Sequence, residues 1–64
     1  MSPLPDFVDA LRLVITLGLE IIIQEESTVA AKRGQAFARE KHNGEPYAAT
    51  LRAIYRAAKQ LDEK

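Results

Sequence analysis

Glu40, His42 and Glu45 set an imidazole between two nearby carboxylates, a grouping that can hold a weakly bound metal ion or move a proton. The same residues also read as the plain end of a helix, where Lys41 and His42 meet the negative pole of the dipole. A site needs groups that converge, and residues on adjacent turns do not supply that. The paired Glu25 and Glu26 read as a solvated face. There is no cysteine, so no thiolate ligand or disulfide, and a single histidine cannot build a zinc site alone. No glycine-rich phosphate loop, G-x-S-x-G elbow or H-E-x-x-H pair appears. The sequence therefore predicts a protein that is not an enzyme and has no cofactor or metal.

Charge gives a second kind of chemistry. Nine basic and nine acidic residues cancel, yet they are unevenly placed. Up to Glu26, Asp6, Asp9, Glu20, Glu25 and Glu26 face Arg12 alone. From 27 to 60, Lys32, Arg33, Arg39, Lys41, Arg52, Arg56 and Lys59 outnumber Glu40 and Glu45, and the tail adds Asp62, Glu63 and Lys64. Such a chain can present a basic surface despite its neutral sum. Arg52, Arg56 and Lys59, with Tyr55 beside them, form the expected partner-binding face, because tyrosine and arginine are enriched where binding energy concentrates. An acidic protein is the partner this face fits. The alternative is a nucleic acid, read as a transcriptional or plasmid or phage regulator, with Tyr55 stacking on bases. Ala30-x-x-x-Gly34 echoes a helix-turn-helix, but Arg33 and Gln35 stand where that motif packs apolar residues.

These faces need elements to hold them. Sixty-four residues make one small domain that is marginal unless its helices pack well or it assembles. The stretch "LRLVITLGLEIII", Leu11 to Ile23, alternates as a strand would, yet Asp9, Arg12, Thr16, Glu20 and Gln24 also fall on one helical stripe. The far side of the alternation mixes polar and large apolar residues, and the later chain is rich in helix formers. The helix is the favoured reading, with Asp6 as its cap. In "NGEPY", Asn43 or Gly44 takes the left-handed conformation and Pro46 opens a last helix. Its seam would be Tyr47, Leu51, Ile54, Ala58 and Leu61, with Ala49, Ala53 and Ala57 on a flank open to close approach.

The expected fold is all-α. Residues 1–5 form an extended lead-in, 6–42 one helix or two, 43–45 a turn, and 46–62 a second arm. As a single helix the first arm is about 37 residues and roughly 55 Å long; a break at Ser27-Thr28 would give three helices instead. This short hairpin resembles, in outline only, the plasmid copy-control helical hairpins, and no residue motif carries a function across. The last helix cannot cover the greasy first arm. A symmetric dimer would bury it, with Phe7, Leu11, Val14, Ile15, Leu19 and Ile22 at the interface. No export signal precedes the apolar run, which carries Arg12 and Glu20 and is too short for a bilayer. The expectation is a small cytoplasmic bacterial or phage regulator that binds protein as a homodimer, away from membranes.

Overall fold

A computed structural model describes residues 5–62, with side chains from residue 8 onward. It overturns the all-α hairpin. The order is α1 (Pro5–Leu17), β1 (Glu20–Ile23), β2 (Ser27–Lys32), β3 (Ala36–Lys41) and α2 (Pro46–Asp62). The strands form an antiparallel meander, β1-β2-β3. Residues 6–42 are therefore neither one helix nor two, and the resemblance to a helical copy-control hairpin falls with them.

Both readings of "LRLVITLGLEIII" hold, each for part of it. α1 stops at Leu17 because Gly18 takes φ +71°, and the Leu19 N–H returns to the Val14 carbonyl at 3.0 Å. That six-to-one bond, with glycine in the left-handed position and a leucine after it, is a Schellman stop. Lys32 of β2 reaches across to donate to the Leu17 carbonyl at 2.6 Å, placing a cation on the helix's negative pole. Beyond the stop, three isoleucines in a row suit a strand. Asp6 lies inside α1, which already runs from Pro5, rather than capping it.

The two hairpins close differently. Glu25 and Glu26 form the tip between β1 and β2, closed by the Gln24 N–H on the Ser27 carbonyl at 2.8 Å. Between β2 and β3 the Gln35 N–H bonds to the Lys32 carbonyl at 2.8 Å, and Gly34 supplies the φ of +73° that a type II turn needs at its third residue. Gly34 is thus a hairpin residue. Ala30-x-x-x-Gly34 runs from the middle of a strand into its turn, which removes the helix-turn-helix echo. Ser27 and Thr28 begin β2 instead of capping a helix.

One face of the sheet carries the helices. The register sets Ile21, Ala30 and Ala38 in one row and Ile23, Thr28 and Glu40 in the next, all on the α2 side. α2 meets this face through Ala49, Ala53 and Ala57, none of them accessible, with Ile54 beside them. Residues four apart share a helical stripe, so three alanines make a flat strip that lets α2 settle close onto Ala30 and Ala38. The small-residue flank is therefore the buried one. Tyr47, expected in the core seam, is 68% exposed. α1 lies against α2, adding Ala10 to the core, with Leu13, Val14 and Leu17 packed around it.

A polar pin crosses this apolar layer. Thr28 Oγ1, fully buried, lies 2.8 Å from His42 Nε2 and 3.0 Å from Thr50 Oγ1. It joins β2, the turn after β3 and α2 at one point. Removing the shared hydroxyl strands two buried partners, which costs about 1–3 kcal/mol. Thr28→Val should lower the urea midpoint accordingly; an unchanged midpoint would mean that the pin contributes nothing. Ala53→Leu should destabilise by about 1–3 kcal/mol through overpacking, read by thermal melting.

Candidate functional site

The chemistry suggested by Glu40, His42 and Glu45 does not assemble. Glu40 sits on β3 and faces α2, where it accepts from Arg52 Nε at 3.2 Å and from Arg56 Nη1. His42 is 8% exposed, with its Nε2 engaged by Thr28. Neither Lys41 nor His42 ends a helix: Lys41 is the last residue of β3 and His42 follows it into the turn. Among the described residues, no three metal-ligating side chains gather. Thr28 is the hydroxyl nearest an imidazole, but it is sealed from solvent and so is not a nucleophile that a substrate could reach.

The expected partner face is split. Arg52 and Arg56, four apart on α2, turn toward β3 and clamp Glu40, although both remain half-exposed. Tyr55 stands on the ridge between two open grooves. One is shared with Ala48, Leu51, Arg52 and Arg56; the other lies between α2 and α1, along Leu13, Leu17 and Lys59. The four residues adjoin, but Glu40 offsets part of their charge. Hydrogen bonds from Arg56 and then Arg52 hold its carboxyl below the ordinary glutamate range, and their positive charge adds to this against a smaller opposing effect of burial.

No known protein family matches the chain, and neither a curated protein nor a solved structure resembles it significantly. Its function has to be argued from its own surface.

The expected dimer residues divide into two groups. Leu19 is buried in its own chain and Val14 packs against the same core, so both serve the monomer. Phe7 lies outside the residues whose side chains are described. Leu11, Ile15 and Ile22 are open to solvent, and the structure adds Val8 and Ile23 to them. Val8, Leu11 and Ile15 share one stripe of α1, turned away from α2. Ile15 is the extreme, at 80% exposed.

The sheet adds two features that sequence reading missed. Its face away from α2 carries Ile22, Ala31 and Phe37 around a buried Val29, followed along β3 by Arg39 and Lys41. Its two edges differ as well. On β3, the Gln60 side chain of α2 brackets one residue: the Phe37 N–H donates to Oε1 at 2.9 Å, and Nε2 donates to the Phe37 carbonyl at 2.7 Å. Among the described residues, β1 has no such cover. The "LGL" around Gly18 and the triple isoleucine were the available signals for that exposed strand.

The Glu40 clamp gives a pH test with a definite sign. Its carboxyl is held ionised in the fold, so its stabilisation is present in full above the unfolded value, about 4.3, and is lost as pH falls through the lower folded value. Glu40→Gln should cost no more than about 1 kcal/mol at pH 7, because both arginines are well solvated. Denaturation of both proteins along a pH series should show the gap closing in acid. A gap that widens in acid would reverse the assignment.

Proposed function

We propose that this chain is a non-enzymatic protein–protein interaction module that works as a homodimer in the cytoplasm. The observation that carries the reading is the set of large aliphatic side chains left in water: Val8, Leu11 and Ile15 on one stripe of α1, and Ile22 and Ile23 on the two opposite faces of β1. Each is tolerated singly on a monomer, whereas five on two consecutive elements favour association. The core supports the reading from inside. It is built largely of alanines, with Ile54 and Thr28 the largest fully buried side chains, so the folded monomer has little apolar mass in reserve. Cytoplasmic placement rests on the cysteine-free composition and on the described helices, none of which is long and apolar enough to cross a membrane. The ridge of Arg52, Tyr55, Arg56 and Lys59 is the face for an acidic protein partner, reduced in charge by Glu40.

A second reading, binding of single-stranded nucleic acid, is favoured by one observation and belongs on a different face from the one first expected. Phe37, 61% exposed, lies on the sheet face away from α2, in line with Arg39 and Lys41. An exposed aromatic beside cations is how single strands are stacked and held. Net neutrality ranks this reading second. Titration with single-stranded RNA and DNA at two salt concentrations separates the two, since phosphate contacts weaken steeply with salt. Absence of binding at low salt removes the second reading.

Sedimentation equilibrium from low micromolar to near-millimolar protein tests the first. The expected result is a mass approaching twice 7.1 kDa. A lone 7.1 kDa species throughout that range overturns the homodimer. Ile15→Asp should leave the isolated fold intact, because the side chain is already in water, and should weaken the dimer at least about tenfold by burying a charge.

A further inference from the structure

The β1 edge shows how two copies would join, an inference that rests on the homodimer reading above. In an antiparallel pair, successive residues alternate between facing the neighbouring strand with both backbone polar groups and facing away. The Gln24–Ser27 bond at the hairpin fixes the phase. Ile22 and Glu20 then bond to Val29 and Ala31, while Ile21 and Ile23 turn their N–H and C=O groups outward. The bond from the His42 N–H to the Glu26 carbonyl fixes the same phase independently from the β3 side of the sheet. Among the described residues, no side chain or backbone group takes up the outward groups of Ile21 and Ile23.

Exposed edges invite pairing, and proteins usually guard them with charge, proline, a bulge or a covering element. The β3 edge is guarded at Phe37, where the Gln60 amide supplies the donor and acceptor that a neighbouring strand would offer, and its other outward-facing residues, Arg39 and Lys41, are charged. From Ile21 to Ile23, the β1 edge has none of these devices among the described residues. One edge of the sheet is guarded and the other is left able to accept a strand.

We propose that the occupant is β1 of a second copy, antiparallel, about a two-fold axis between the two Ile22 residues. The segment "EIIIQ", Glu20 to Gln24, is chemically close to a palindrome, which is what such an axis demands. In this register Ile21 of each copy exchanges both backbone bonds with Ile23 of the other. Ile22, 46% exposed in one chain, meets its own image at the close, non-bonded position. Glu20 falls opposite Gln24 of the second copy, so no like charges are opposed. Two meanders become one continuous six-stranded sheet with all four helices on one face.

The chain has no cysteine, so Ile22→Cys introduces a single thiol at the proposed axis. Directly opposed residues at a non-bonded antiparallel position lie within reach of a disulfide. Under mild oxidation, Ile22→Cys should convert to covalent dimer, while Phe37→Cys, on the same face at the guarded edge, should not. Ile23→Pro removes an N–H that makes no bond within the chain, and should yield a folded monomer whose mass no longer rises with concentration. Amide exchange on the unmodified protein adds a check that needs no variant, because the Ile21 and Ile23 amides should gain protection as concentration rises. A wild-type protein that stays monomeric overturns both the homodimer and this pairing. A wild-type dimer whose Ile22→Cys form does not cross-link and whose Ile21 and Ile23 amides stay unprotected overturns the edge pairing alone and places the dimer seam elsewhere. Covalent linkage that is equally fast at Phe37→Cys also overturns it.

Discussion

The close approach of α2 to β2 and β3 governs the rest of this molecule. Ala49, Ala53 and Ala57 present a flat strip to Ala30 and Ala38, and every one of these side chains is buried. Side chains of this size let a helix sit nearer to a sheet than leucines would, and packing at that distance leaves little room for error. The whole body is correspondingly thin, 16 Å in its shortest Cα extent. Such contact holds helix to sheet but buries few carbons for each residue ordered. The Thr28–His42–Thr50 pin adds directional bonds where the apolar layer is thinnest, and fixes the height of α2 over the second strand.

This constraint redistributes the large aliphatic side chains. With the centre given to alanine, leucine and isoleucine gather on α1 and β1, at one side of the body. Leu13, Val14, Leu17, Leu19 and Ile21 pack inward there, while Leu11, Ile15, Ile22 and Ile23 remain in contact with water. The opposite side is finished differently. Gln60 satisfies Phe37 on the β3 edge, and Arg52 and Arg56 meet Glu40 beside it. The two sides therefore differ in kind: exposed aliphatics on α1 and β1, and charged groups with Phe37 and Tyr55 on β3 and α2.

The candidate surfaces were partly legible in the residues. Surplus apolar area on the opening stretch could be read from its wheel, because a narrow polar stripe leaves most of a helix greasy wherever the chain goes next. Which aliphatics stay outside could not be read, since Leu19 and Ile15 are of similar hydrophobicity and only the Gly18 turn sends one inward and leaves the other at 80% exposure. The arginines of α2 were legible as a pair, but their carboxylate partner was not. Glu40 lies sixteen residues before Arg56, and the two meet only because β3 runs beneath α2. The strands β2 and β3 escaped notice for a related reason. "STVAAK" and "AFAREK" are rich in alanine and charge, which favour helices in isolation. Here alanine is demanded by the helix above, and strand preference follows packing more than intrinsic backbone tendency.

By itself the sequence determined some local stops and starts: a left-handed residue at Asn43 or Gly44 ahead of Pro46, although it follows a strand where a helix end was expected, the helix from Pro46, the neutral but uneven charge, and the lack of thiol chemistry. These depend on backbone sterics and residue chemistry, which act over a few neighbours. Tertiary structure alone decided that the middle of the chain is a sheet, which flank of α2 is buried, and which strand edge is left open. Those outcomes depend on which distant residues share a layer. The β2 alanines become strand residues only once α2 covers them, and the β1 edge is singled out only once Gln60 has covered the other at Phe37.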